Sequence, residues 1–507
     1  MFLDARDLPD GHLVESDVAV VGSGPSGMTL TRVLASRGFD VTLLESGGRE
    51  PDGATNDLAR GEVRGRVYPL PATRQRYFGG SSNHWGGYCR PLDPIDFEAR
   101  EWVAFSGWPF GREELAPYYG PASEIVEIAP ARFDDVAYWQ AQTEEPRLGL
   151  VAGRLTERFY QFSPPTRFAS RYGPELAASA RVRVLLYANL VRILAAESLR
   201  AIDHLEVRTL TGRTHRVRAR AYVLAAGGLE NPRLLLASRD RIPEGIGNQN
   251  GLVGRFFMEH PHVGGVAQIV MRDPRRLPRV YRERVVADGR AGRAAFFPTA
   301  DFLRRERLLN VSFTVTVKGR YRGDEQEEPA AEHLRMLRAA EAFLTERRPE
   351  SAETETQGAW VSVGCRSEQV PNPDSRVTLS SETDALGMPR LVLDWRLTEQ
   401  DRRSIAAHVR SLAYELGALG LGRLQMHIAD DGLWPERVGV GSHHMGTTRM
   451  SDDPRRGVVD RDCRVHGLEN LYIAGSSVFP TGGAVNPTLT IVALALRLGD
   501  HLGGRLA

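Results

Sequence analysis

The most regular pattern of apolar and polar positions runs from Asp17 to Glu45, DVAVVGSGPSGMTLTRVLASRGFDVTLLE. Val18 to Val21 form an unbroken apolar run, which predicts a short strand buried on both faces. Gly27 to Arg37 reads as a helix, with Gly38 just past its last turn. A second apolar run, Val41 to Leu44, predicts another buried strand that ends on Glu45. The same order of strand, glycine turn and helix returns in AYVLAAGGLENPRLLLAS, Ala221 to Ser238. There Tyr222 to Ala225 is the predicted strand, Gly227 and Gly228 turn the chain, and Asn231 with Pro232 would cap and open the helix.

Between these units Val182 to Leu194 alternates as a strand does, and Pro109 to Ile128 predicts a helix pair broken near Gly120. From Gly264 to about Val438 the pattern changes to strands and long helices, as expected of a sheet backed by helices. Val377 to Leu379 and Leu391 to Trp395 are predicted strands there, and Glu325 to Arg348 a helix. Thr398 with Asp401 resembles a capping box ahead of Ile405, Val409, Leu412 and Leu416 at helical spacing. Near the end, Asn470 to Pro480 predicts a strand running into a loop, and Pro487 opens a final helix. Ser46 to Arg76, rich in Gly, Pro and Arg and without period, is expected to be a long loop crossing a nucleotide.

At 507 residues the chain suits two domains, or one fold with an inserted lobe. A net charge of +1 provides no global field for nucleic acid or an anionic membrane. Three scattered cysteines, Cys89, Cys365 and Cys463, argue against a disulfide framework or a zinc ribbon. No run reaches ~18 apolar residues and MFLDARDLPDG is no secretion signal, so the expectation is a soluble cytoplasmic protein without a membrane partner.

Chemistry concentrates in four places. Gly22, Gly24 and Gly27 form GxGxxG between strand and helix, which, with Glu45 ending the next strand, points to dinucleotide binding: close backbone approach to pyrophosphate, and a carboxylate for ribose hydroxyls. YFGGSSNHWGGYCRPLDPIDF, Tyr77 to Phe97, reads either as backbone lying against a flat ligand or as a glycine-rich surface loop. Its His84 reads either as packing beside Trp85 or as a ligand contact. GSHHMGTTRM, Gly441 to Met450, places His443 and His444 in a glycine-flanked loop. Asn486 precedes Pro487, so the last helix aims its positive end at whatever lies before it.

Taken together, GxGxxG, GGSSNHWGG, GWPF from Gly107, VLAAGGLENPRLLL, VGRFFMEHP, PDSRVTLS from Pro373, and HHMGTT…GVVD…LYIAGSSVFPT…VNPTLT resemble the glucose–methanol–choline family of flavin oxidoreductases. Within it the chain is similar to the sugar-acting branch of pyranose oxidases, bacterial glycoside 3-oxidases and fructose dehydrogenase-like subunits. The resemblance implies an α/β (overall α+β) fold: a Rossmann-like FAD-binding domain over 1–97, 180–263 and 439–507, interleaved with a substrate-binding domain over 98–179 and 264–438 built on an antiparallel sheet backed by helices.

It also implies FAD as cofactor, held by Gly22, Gly24, Ser26, Gly27, Glu45, Ser46, Gly79, Gly80, Ser82, Asn83, His84, Trp85, Ala226, Gly227, Gly475, Ser476, Asn486, Pro487 and Thr488. His84 falls where some relatives bond FAD covalently and others only pack a residue under the ring. His443 and Asn486 are the implied catalytic pair, with His444 pointing elsewhere, and Glu368 and Gln369 join the pair as candidate sugar contacts. An alcohol carbon releases hydride readily only while its hydroxyl proton is removed, which an imidazole titrating near neutrality suits. Asn486 can donate to the same oxygen. The expected reaction turns a secondary hydroxyl of a pyranose or glycoside into a ketone, with oxygen or another acceptor reoxidising the flavin. The alternative is an FAD-dependent dehydrogenase of non-sugar alcohols using a quinone or protein acceptor. A nicotinamide-using flavoprotein would need a second nucleotide site, and Gly245 to Gly251 follows a loop instead of a strand. Oligomeric state is left open.

Overall fold

The apolar runs ending at Val21, Leu44, Leu224 and Ile473 lie side by side as parallel strands. In the computed structural model, which describes residues 1–130, 132–143, 145–151, 153–271, 273–320, 359–428, 432–435 and 438–507, the first sheet runs Phe2–Asp4, Val182–Leu186, Val41–Leu44, Leu13–Val21, Thr214–Leu224, all parallel. Leu471–Ile473 adds a further parallel strand beside the end of Thr214–Leu224, whose start pairs antiparallel with Ile202–Arg208, followed by Asn189–Ala195. Val18 to Val21 and Tyr222 to Leu224 are buried almost completely, as strands covered by helices on both faces must be. Helix Pro25–Ser36 begins with proline at its first position and packs against the last helix, Thr488–Leu506.

The second sheet is antiparallel throughout. Its order is Arg423–Met426, Pro261–Met271, Ala359–Ser367, Val311–Arg320, Arg290–Pro298, Leu155–Phe162 and Tyr88–Cys89. Val361, Val363 and Cys365 turn one face into a core shared with Ile405, Val409, Leu412 and Leu416, the predicted apolar stripe of helix Glu399–Ala418. Ser362 and Arg366 of that strand face the opposite way. A third sheet joins Arg376–Thr383, Pro389–Trp395 and Gly61–Gly65. The fold is thus a Rossmann-like unit joined to an antiparallel sheet backed by a helix, as expected.

Several local expectations need correction. The segment Ser46 to Arg76 is not all loop: it contains the helix Gly53–Asp57 and the strand Gly61–Gly65, and the latter finds its partner in Pro389–Trp395, far along the chain. Arg112–Ile125 is one helix that carries Pro117 and Pro121 inside it, with no break at Gly120. Val182–Leu186 and Asn189–Ala195 are separate strands divided at Tyr187, whose φ is +57°. The helix after Gly227 starts there and holds Pro232 internally. Asn231 is therefore not the cap: Ala226 holds that position without a side-chain cap bond, and Asn231, inside the helix, accepts from the Ala226 N–H through its Oδ1 at 2.9 Å. The helix expected over Glu325 to Arg348 lies outside the described residues. Among the described residues no helix is long and apolar enough to cross a membrane, and the three cysteines are buried and unpaired.

The capping box is present in both directions: Thr398 Oγ1 accepts from the Asp401 N–H, and Asp401 Oδ2 from the Thr398 N–H. Asp401 also accepts from the Val370 N–H. Thr398→Ala removes a cap worth about 1 kcal/mol, so chemical denaturation should show a lower midpoint with an unchanged slope.

Candidate functional site

The carboxyl ends of four parallel strands open on one cleft. Val21 and Gly22, Leu44 and Glu45, Ala225 and Ala226, and Gly475 all line a cavity of about 440 Å³ at that edge, the place where open α/β sheets bind ligands. The three glycines of GxGxxG have different reasons to be glycine. A Cβ at Gly22 would lie 2.6 Å from the Ala225 carbonyl oxygen, and its φ is +103°; one at Gly27 would lie 1.9 Å from the Gly22 oxygen. Gly24 has ordinary backbone angles, and a Cβ there would meet nothing within 4 Å. Its bare backbone leaves open space on the cavity wall, a cradle that fits pyrophosphate at the start of helix Pro25–Ser36.

Glu45 is buried at the same edge and accepts from the Ser23 N–H and hydroxyl, the Ser46 hydroxyl and the Gly47 N–H. Gly80, Ser82, His84 and Trp85 form another wall, while Gly79 and Asn83 shape it from behind. The Gly79 N–H bonds Ser23 Oγ at 3.0 Å, and Asn83 Nδ2 donates to the Phe78 carbonyl at 2.9 Å. Ser26, Ser46, Gly227, Ser476, Pro487 and Thr488 complete the cleft. The walls, the glycine cradle and the helix start suit a dinucleotide.

At the far end the structure brings His443 and Asn486 together, with His443 Nε2 3.1 Å from Asn486 Nδ2. Behind them stands His260, which the sequence pattern did not single out. His260 Nε2 faces the carbonyl oxygens of Gly482 and Gly483 at 3.2 and 2.9 Å, so Nε2 carries the proton. Burial pushes its pKa down to about 4, so the ring is neutral near pH 7 and its Nδ1 is an acceptor. That Nδ1 lies 2.8 Å from His443 Nδ1, which must therefore donate. Burial, then His260, His262, Arg366 and His444, hold His443 well below its ordinary pKa. Its Nε2 is consequently a bare lone pair, and Asn486 turns its amide N–H toward it. The Asn486 Oδ1 has no protein partner.

Glu259 secures the loop that carries His443. It is fully buried and accepts from the backbone N–H groups of His260, Gly441 and His443 and from the Tyr68 hydroxyl. Burial pushes its pKa up to about 7. A Cβ on Gly441 would lie 2.4 Å from His443 Nδ1, so only glycine leaves the ring its place. His444 packs its ring near Tyr68 and Phe257 and so points away from the His260–His443–Asn486 chain, although it touches the cavity wall.

Glu368 and Gln369 do not line the cavity. Glu368 is buried in a two-pronged ion pair with Arg100, and Gln369 accepts from the Glu259 N–H and Trp395 Nε1. Their polar atoms are used by the protein, so neither is positioned as a sugar contact. Cavity-lining residues that sequence reasoning passed over include Tyr88, His262 and Arg366, with the His262 ring 5.7 Å from that of His443. The signal available was MEHPH, whose His260 and His262 are two apart at the start of a strand.

Residues 371–495 match the sequence model of the family described as GMC oxidoreductase, and residues 20–86 that of an NAD(P)-binding Rossmann-like domain. The chain is 28% identical to paromamine 6'-oxidase of Streptomyces fradiae over 97% of this chain and 92% of that protein. It is 26% identical to C-glycoside 3-oxidase of Microbacterium trichothecenolyticum over 97% of each. Among solved structures it is similar to pyridoxine 4-oxidase from Mesorbium loti, with TM-score 0.58 and 20% identity over 96% of this chain and 98% of that one.

The two glycines separate cradle from scaffold. Gly24→Ala is expected to keep thermal stability while weakening retention of bound dinucleotide. Gly27→Ala should lower the melting temperature as well, since its methyl meets backbone. Equal melting temperatures for the two variants would contradict this division.

Proposed function

We propose that this chain, which belongs to the GMC oxidoreductases and acts on a CH–OH group, oxidises a secondary hydroxyl of a pyranose sugar or glycoside to a ketone with FAD. The observation that carries the proposal is the neutral His443, its Nε2 bare and beside the Asn486 amide at the end of the dinucleotide cleft. The names of the sugar-oxidising relatives support the substrate class.

The cofactor would be held by the glycine cradle, Glu45, the wall from Gly80 to Trp85, and the segment Asn486 to Thr488; when bound, FAD accepts the hydride that leaves the alcohol carbon. The protein supplies the proton chemistry. An arriving hydroxyl takes the place of the Asn486 N–H against His443 Nε2 and gives up its proton there. The Nδ1 proton stays in its bond to His260, so the imidazolium that forms is stabilised along a bond already made. Asn486 Nδ2 then donates to the developing alkoxide. The start of helix Thr488–Leu506 adds its positive dipole at this point. A covalent tie of FAD through His84 rests on that residue's place in the cavity wall, where burial and then Arg167 hold its imidazole pKa down.

His443→Ala is expected to retain its yellow colour and to lose roughly 10²–10⁴-fold in the rate of anaerobic flavin bleaching by substrate. Because the folded-state pKa of His443 is depressed, the base is already neutral at pH 6.5. Loss of kcat/KM on acidification should therefore begin below pH 6.5, and a half-maximal point at or above it would count against His443 as the base. Bleaching by sugars or glycosides, but not by simple alcohols, tests the substrate class, and colour returning in air identifies oxygen as acceptor. Acid precipitation tests the tie: flavin should stay with the wild-type protein and be released from His84→Ala.

A further inference from the structure

We propose that the sugar this site oxidises carries an oxyanion, a carboxylate or a phosphate, and that Arg366 receives it. The inference rests on the sugar reading above and narrows it.

Arg366 and His262 stand opposite each other on neighbouring antiparallel strands, and both line the cavity beside His443 and Asn486. The guanidinium lies over the Tyr88 ring at 4.4 Å from its centroid, with the Tyr160 ring at 5.6 Å. The two rings and the sheet limit where it can turn. Its Nε is buried without a hydrogen-bond partner.

Several buried guanidinia in this protein meet carboxylates, although buried Arg449 donates to the Phe105 carbonyl instead. Arg90 pairs with Asp93 and Asp134, Arg100 with Glu368, and Arg233 with Glu230 and Asp384. Arg366 forms no ion pair among the described residues. The carboxylates that touch the cavity or its rear wall are already committed: Glu45 to Ser23 and Gly47, Glu230 to Arg74 and Arg233, Glu259 to Tyr68 and three backbone N–H groups. The local charge is further positive because Arg284 lies over Phe162 at 3.8 Å and over Tyr88 at 5.8 Å, and Arg293 also acts on Tyr88. Neither of these arginines forms an ion pair among the described residues. A planar guanidinium that shares a side-chain hydrogen bond with Tyr88 but has an unpartnered Nε and no carboxylate beside it matches the two-oxygen edge of a carboxylate or phosphate. The same charge opposes an amino sugar.

The test uses the holoenzyme and four glucose derivatives at equal concentration under anaerobic conditions: methyl glucoside, methyl glucuronide, glucose 6-phosphate and methyl glucosaminide. Flavin bleaching is expected to be about tenfold or more faster, at limiting concentration, with an anionic sugar than with the neutral glucoside, and slowest with the cationic one. The faster of the two anions identifies carboxylate or phosphate. In Arg366→Gln the preference for the anion should collapse, and Arg366→Lys should restore part of it. A second readout needs no turnover: cyclohexanecarboxylate should perturb the flavin absorbance of the wild type at lower concentration than that of Arg366→Gln. If no sugar bleaches the flavin yet this carboxylate binds through Arg366, the sugar reading fails and the anion site stands. If the glucoside is oxidised as fast as both anionic sugars and cyclohexanecarboxylate binds wild type and variant alike, the anion site is overturned and the sugar reading stands.

Discussion

One proton, on His260 Nε2, determines which atom of His443 can act. The carbonyl oxygens of Gly482 and Gly483 hold it, which makes His260 Nδ1 an acceptor, His443 Nδ1 a donor and His443 Nε2 an acceptor. Each histidine is buried deeply enough to stay neutral, and the cost of that burial is offset because each ring proton has a partner. The chain joins three segments: the loop entering strand Pro261–Met271, the loop from Gly441, and the loop before helix Thr488–Leu506. A shift in any one would break the order of donors and acceptors.

The two sheets meet at this chain. The parallel sheet presents the carboxyl ends of its strands, with the glycine cradle on one side and Asn486 to Thr488 on another. The antiparallel sheet turns one face to its own helix-backed core and offers His262 and Arg366 from the other. Glu259, at the entry to that sheet, binds the backbone of the His443 loop and couples the two layers. Positive charge from Arg366 also opposes protonation of His262 and His443, after burial itself. The residue proposed to receive the substrate's anion therefore also helps to keep His443 neutral.

Much of this was legible in the chain, for a physical reason that differs from element to element. GxGxxG, the strands around it and Glu45 follow from neighbours close in sequence, as do the capping box at Thr398 and the helix start at Pro487. Where the pattern misled, a distant partner or local backbone prevailed. Strand Gly61–Gly65 exists because Pro389–Trp395 lies beside it, and helix Arg112–Ile125 passes through two prolines while packing on the last helix. Glu368 and Gln369 looked available for a ligand, but Arg100, Glu259 and Trp395 take their polar atoms.

By itself the sequence determined the dinucleotide unit and the final helix, because short-range sterics and capping are written in adjacent residues; the pairing of His443 with Asn486 was implied only by the family resemblance. Only the tertiary structure decided that His260 sets the tautomer of His443, that Glu368 and Gln369 stand behind the site, and that Arg366 faces the cavity without a carboxylate. Those facts depend on which groups far apart in the chain share a buried space, where every ring proton must find an acceptor and every charge a partner.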